Sequence, residues 1–204
     1  MEIMKIIEKY KLVPVVVFNE ISEAEGKLAA LIRGGLPIAE ITFRTECAAE
    51  AVELAVKRFP EMLVGAGTII NGRQCEKAIT CGAKFIVSPG FSEDVAAVCA
   101  ERGVPYIPGT VTPTEIMKAL TFGLNILKFF PASDYGGLKT IKSLAAAFPQ
   151  VRFMPTGGIS ESNIKEYLSF GKIIACGGSW MMKGCIADIE ASTKDAMKLI
   201  GELQ

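Results

Sequence analysis

The chain has 204 residues, half of them hydrophobic, with 22 basic and 22 acidic side chains and no histidine. This length allows one domain with a substantial core, and the balanced charge removes any general pull toward nucleic acid or an anionic membrane, leaving small molecules as the expected partners. Without histidine the commonest general base and a frequent metal ligand are both missing, so acid-base chemistry falls to carboxylate, lysine, tyrosine, cysteine or water.

The opening stretch MEIMKIIEKYK (1–11) places Ile3, Ile6, Ile7 and Tyr10 at helical spacing, which predicts an amphipathic helix covering the bottom of the fold. Its interspersed charges are unlike a signal peptide, and no run approaches the roughly 18 apolar residues of a membrane span, so a cytoplasmic location is expected. Then comes LVPVVVF (12–18), the first of eight apolar or β-branched runs, followed by 38–43, 62–67, 84–89, 105–109, 125–130, 151–156 and 172–178. Helix-like segments lie between them at 22–35, 46–59, 71–83, 92–103, 112–123 and 160–171, many opening on Ser, Thr or Asn and closing on Gly.

Repeated βα units predict parallel strands with right-handed crossovers, and eight of them close most naturally into a (β/α)8 TIM barrel. The expectation is thus a single α/β barrel domain over 1–204 with an extra N-terminal helix. An open doubly wound sheet is the alternative, but no G-x-G-x-x-G follows the first strand. The six cysteines form no C-x-x-C pair and read as small buried hydrophobes; no metal site is expected.

In a barrel the working groups sit at the C-terminal strand ends. Lys128 interrupts the apolar run NILKFF (125–130), on the same face as Ile126 and Phe130. An amine enclosed in an apolar barrel has its charged form disfavoured and becomes a nucleophile for carbonyls, whose product is a Schiff base. A lysine that snorkels to solvent, or one that neutralises a barrel carboxylate, fits this stretch as well.

In IAEITFRTE (38–46), Glu40, Thr42 and Arg44 share a face if the segment is extended. Glu40 can then shuttle protons and Arg44 can fork onto a carboxylate or phosphate; structural neutralisation of Lys128 by Glu40 is the competing reading. Glycine doublets in PTGGIS (155–160) and CGGSW (176–180) follow the last two strands. There, backbone amides next to a helix start make an anion nest, unless the glycines only serve tight turns. GAGT (65–68) poses the same choice and adds the Thr68 hydroxyl.

These pieces, in this order, resemble the 2-dehydro-3-deoxy-phosphogluconate (KDPG) aldolase family with its 4-hydroxy-2-oxoglutarate (KHG) aldolase members. The resemblance rests on EITFRT, VGAGT, FIVSPG, IPGTVTPTE, LKFFPA, QVRFMPTGGI and CGGSW, and runs nearly the whole chain. It implies a class I aldolase that cleaves 2-dehydro-3-deoxy-6-phosphogluconate, with 4-hydroxy-2-oxoglutarate or the 6-phosphogalactonate analogue as alternative substrates. It further implies Lys128 as the Schiff-base lysine and Glu40 as the general acid/base. Arg44, Thr68, Pro89 and Thr156 would line the keto-acid site, Phe130 would wall it, and Gly157, Gly158 and Ser179 would hold a phosphate. No cofactor is implied, and a homotrimer is. The departures are FN at 18–19, where many relatives carry an arginine, and SDYGG at 133–137 in place of EANGG; both bear on distal substrate contacts. A phosphate-binding isomerase would use Glu40 without a covalent lysine, and a non-catalytic sugar-acid binder would need neither.

Overall fold

In the computed structural model, which describes residues 2–203, parallel strands alternate with helices from end to end. Met1 and Gln204, the outermost residues of the expected helix and domain, lie outside the described residues. Helix α1 (Glu2–Tyr10) is followed by β1 (Leu12–Val16), α2 (Ala24–Arg33), β2 (Ile38–Thr42), α3 (Ala48–Arg58) and β3 (Leu63–Gly67). Next come α4 (Gly72–Thr80), β4 (Ile86–Val87), α5 (Glu93–Arg102), β5 (Tyr106–Ile107), β6 (Gly109–Thr110), α6 (Pro113–Thr121) and β7 (Ile126–Phe129). The chain ends with α7 (Gly137–Ala147), β8 (Arg152–Pro155), α8 (Ile164–Leu168), β9 (Cys176–Gly178) and α9 (Ile186–Gly201).

The helix starts follow from local chemistry. Asn71 caps α4 by accepting from the Gln74 N–H at 2.9 Å, and Ser92 caps α5 by accepting from the Val95 N–H. Thr112 and Glu115 form a reciprocal capping box at α6, with Pro113 in the first turn. Each satisfies backbone donors that a helix start leaves orphaned. Gly103, at φ +64°, closes α5 in the left-handed conformation, which costs glycine little.

The strands are all parallel and fall into two sheets, β5-β4-β3-β2-β1-β9 and β6-β7-β8. The sequence predicts one unbroken strand over 105–109; the structure splits it at Pro108, which has no N–H to give a ladder. The Pro108 carbonyl still accepts from Lys128 N at 2.8 Å. At the other seam, β8 and the β9 segment meet through single bridges, Phe153 with Ile173 and Thr156 with Gly177. The run expected over 84–89 narrows to Ile86–Val87, since Pro89 again lacks a donor, and β1 stops at Val16, beyond which the Phe18 carbonyl accepts from Cys47 Sγ.

Every residue of β2 and β3 is buried, as expected of strands covered on both faces. Buried side chains from every strand but β6, and from each of the helices α1 to α9, form one contiguous apolar core. Helix α1 lies across the N-terminal strand ends: Ile7 is fully buried, Glu8 pairs with Arg152 at the start of β8, and Ile6 and Tyr10 sit beside Pro37 and Met62. Cys75, Cys99 and Cys176 are buried as expected, whereas Cys185 is exposed at the start of α9.

Candidate active site

Strand β7 places Lys128 among Ile126, Leu127 and Phe129, and strand β2 places Glu40 opposite it. Lys128 is 4% exposed and Glu40 0%, with Nζ 3.5 Å from Glu40 Oε1. The same Nζ lies 4.9 Å from the centre of the Phe130 ring, close enough for the ring's negative face to favour a cation. Neither carboxylate oxygen of Glu40 has a hydrogen-bond partner among the described residues. An amine and a carboxylate thus face each other in an apolar enclosure with bonding capacity unspent, at a burial where unpaired polar atoms are rare.

Glycines leave room for these groups. A Cβ on Gly67 would lie 2.6 Å from Glu40 Cγ and 2.7 Å from Cδ, with Oε1 nearer still. A Cβ on Gly177 would meet Thr156, its Cγ2 at 3.0 Å and its hydroxyl closer. Thr156 is 6% exposed and its Oγ1 has no hydrogen-bond partner among the described residues. Gly109, the register partner of Lys128, packs so tightly on the Pro89 carbonyl that an added Cβ would stand 2.8 Å from Gly90 N.

Arg44 does not continue the Glu40 face. Strand β2 ends at Thr42, and Arg44 sits in the turn beyond, where its Nε donates to Thr68 Oγ1 at 3.1 Å. Thr68 holds φ at +58°, a left-handed backbone that a β-branched residue adopts only when its surroundings impose it.

A cleft of about 260 Å³ opens above the strand ends, lined by Arg44, Phe130, Thr156, Gly157, Gly158 and Ser179. Val15 and Val17 supply its wall on the β1 side. Gly157 and Gly158 turn with φ of +93° and +74°, and behind them Ala132 N and Ser133 N donate to the Thr156 and Gly157 carbonyls. Past Gly178, Trp180 packs its indole against the glycine, so that a Cβ there would overlap the six-membered ring.

Two expectations change. The glycine doublets are not followed directly by long helices: α8 begins only at Ile164, and residues 180–182 form a 3-10 turn. Any anion contact there is made by the turn backbone and Ser179, not by a helix start. Pro89 lines a separate cleft of about 220 Å³ with Ile69, Ile70 and Phe91, and its carbonyl packs against Gly109, the register partner of Lys128. Sequence reasoning took Gly67 and Gly177 as turn or anion-nest glycines and missed the close approach that they and Gly109 allow; the available signal was glycine inside a strand. Larger grooves, between α2 and α3 and beside Ser160 and Leu199, are open surface features without a buried carboxylate or amine. Among the described residues no His, Cys, Asp and Glu side chains cluster as a metal site, and no helix is long and apolar enough to cross a membrane.

Comparison with known proteins adds the chemistry's name. The model of the family described as KDPG and KHG aldolase matches residues 3–197. The chain belongs to the KDPG and KHG aldolase family. It is 40% identical to the 2-dehydro-3-deoxy-phosphogluconate aldolase of Treponema pallidum, covering 98% of both chains. Its structure superposes with a TM-score of 0.92 on the KDPG aldolase of Zymomonas mobilis ZM4 solved with 3-phosphoglycerate, at 37% identity over 97% of this chain and 96% of that one. The KDPG aldolase of Legionella pneumophila, in which pyruvate was captured as a covalent carbinolamine, superposes at 0.88 with 35% identity over 98% and 96% of the two chains. Within this aldolase family the chain is an enzyme, a lyase acting on carbon–carbon bonds.

Proposed function

We propose that the chain is a class I aldolase that cleaves 2-dehydro-3-deoxy-6-phosphogluconate to pyruvate and glyceraldehyde 3-phosphate. The observation that carries this reading is the buried pair of Lys128 Nζ and Glu40 Oε1, 3.5 Å apart, in a member of the KDPG and KHG aldolase family. Lys128 adds to the C2 ketone to give a carbinolamine, which loses water to an iminium with Glu40 relaying protons. Glu40 then takes the C4 hydroxyl proton as the C3–C4 bond breaks, and the bonding pair passes into the iminium to form an enamine. Glyceraldehyde 3-phosphate departs; protonation at C3 and hydrolysis release pyruvate and restore the amine. No cofactor enters this sequence.

Arg44 and Thr156 hold the keto-acid carboxylate and carbonyl, Thr68 fixes Arg44, Phe130 walls the iminium, and Gly157, Gly158 and Ser179 receive the phosphate. Pro89 shapes the strand ends from behind Gly109. A single (β/α)8 barrel domain over 1–204 is the architecture we assign; its support is that Pro108 alone separates β5 from β6 and that bridges link β8 to the β9 segment. We also assign a cytoplasmic homotrimer, for which the exposed Ile70, Met117 and Phe122 offer apolar surface; sedimentation as a monomer would contradict it.

The unphosphorylated 4-hydroxy-2-oxoglutarate is the second substrate to consider, because Arg44 is the only cationic side chain on the described cleft. Incubation with pyruvate and borohydride tests the central claim: a stable adduct is expected on Lys128, and an unmodified Lys128 peptide would sink it. Comparison of kcat/KM for the two keto acids orders the substrates.

A further inference from the structure

We infer that Gly67 is a positioning residue for the reaction, holding the Glu40 carboxylate against Lys128 by having no side chain. This rests on the aldolase reading of that pair. The backbone does not require glycine here: Gly67 lies in β3, paired with Thr42 of β2, outside the left-handed region. What a methyl group would meet first there is one side chain. The three heavy atoms nearest to an added Cβ are all Glu40's, each closer than the 3.0 Å that side-chain carbons essentially never breach.

The carboxylate has little room to retreat. Glu40 is fully buried, and its register partners are Val15 on β1 and Gly65 on β3, beside the fully buried Phe85 ring. It is held by no hydrogen bond from the described residues and meets Lys128 Nζ at 3.5 Å, so shape does much of the placing, and the space over Gly67 is the part of that shape the sequence can remove. Displacement of a reacting group by about 1 Å costs on the order of 10²-fold in rate. Gly67 touches no reacting atom, so its role is exercised through Glu40.

A double-mutant cycle in the full chain tests this. Gly67→Ala is expected to lower kcat for aldol cleavage about 10²-fold while KM moves less than about threefold. In the Glu40→Asp background, whose carboxylate is one methylene shorter, the same change is expected to cost about threefold or less. Gly34→Ala is the structural control, since the atoms nearest its methyl belong to Thr193 and Glu190 of α9: stability falls and kcat per folded molecule holds. If Gly67→Ala does not fold, urea unfolding decides in its place. Gly67→Ala added to Glu40→Ala should then fold at least as stably as Glu40→Ala alone. Wild-type turnover in folded Gly67→Ala, an equal loss in both backgrounds, or a stability loss that persists without the carboxylate overturns the assignment. A wild-type protein that neither cleaves keto acid nor labels on Lys128 refutes the aldolase reading, and this inference with it, before any variant is made.

Discussion

Arg44 Nε donates to Thr68 Oγ1 at 3.1 Å, joining the turn after β2 to a residue whose backbone is left-handed at φ +58°. The hydroxyl that orients the guanidinium is thus supplied at a position where glycine would be the unstrained choice. Thr68→Gly should leave stability unchanged or raised, because relief of about 1 kcal/mol of left-handed strain offsets the added chain entropy. kcat/KM for keto acids should fall roughly tenfold as Arg44 loses its partner. Thermal unfolding and steady-state kinetics on the same preparation check both halves.

Removing the amine strands the acid. Lys128→Met should abolish the borohydride-trapped adduct and destabilise the fold by about 3 kcal/mol, because Glu40 is left fully buried without its partner. Adding Glu40→Gln should return most of that stability and none of the activity. Urea midpoints of the two variants give the comparison.

Gly158→Ala should be costly on two counts. Its φ of +74° strains any residue with a side chain, by about 1 kcal/mol or more, and the new methyl would press on the Ser133 side chain. KM for the phosphorylated keto acid should rise about tenfold, while labelling with pyruvate, which has no phosphate, falls far less.

The α6 cap predicts a pH effect. Burial pushes the Glu115 carboxyl up, but the Val111 and Thr112 N–H groups and the Thr112 hydroxyl outweigh it and hold the group below its ordinary 4.5. A carboxyl lowered on folding stabilises the protein at pH above that ordinary value, and the contribution is lost as pH falls through the folded value. Glu115→Gln should therefore cost no more than about 1 kcal/mol near neutrality, solvent screening included. It should cost almost nothing in acid. Denaturant midpoints at several pH values show whether the gap closes.

What could be read before folding was what neighbours in sequence determine. Caps such as Ser92 and Thr112 mark helix starts by themselves, and an amine at 128 or a carboxylate at 40 is conspicuous in an apolar strand. The parallel strand order then followed from the alternation. Helices α7 and α9 were not singled out: α7 starts from left-handed Gly136 without a side-chain cap, and α9 starts from Cys185, whose thiol is not a usual capping group. The division at Pro108 was legible in principle, because proline cannot donate. The Arg44–Thr68 bond was not, since it spans two strands, and the meaning of Gly67 and Gly177 exists only once β3 stands beside β2 and residue 177 beside Thr156.

Trp180 is the chain's single tryptophan, and its indole rests on Gly178, a glycine that lines the cleft. The molecule therefore carries one indole probe, next to the residues proposed to receive the phosphate end of a substrate. Selective excitation of that indole reads a single location, so keto-acid phosphates can be titrated by emission alone, with no label attached and no turnover needed.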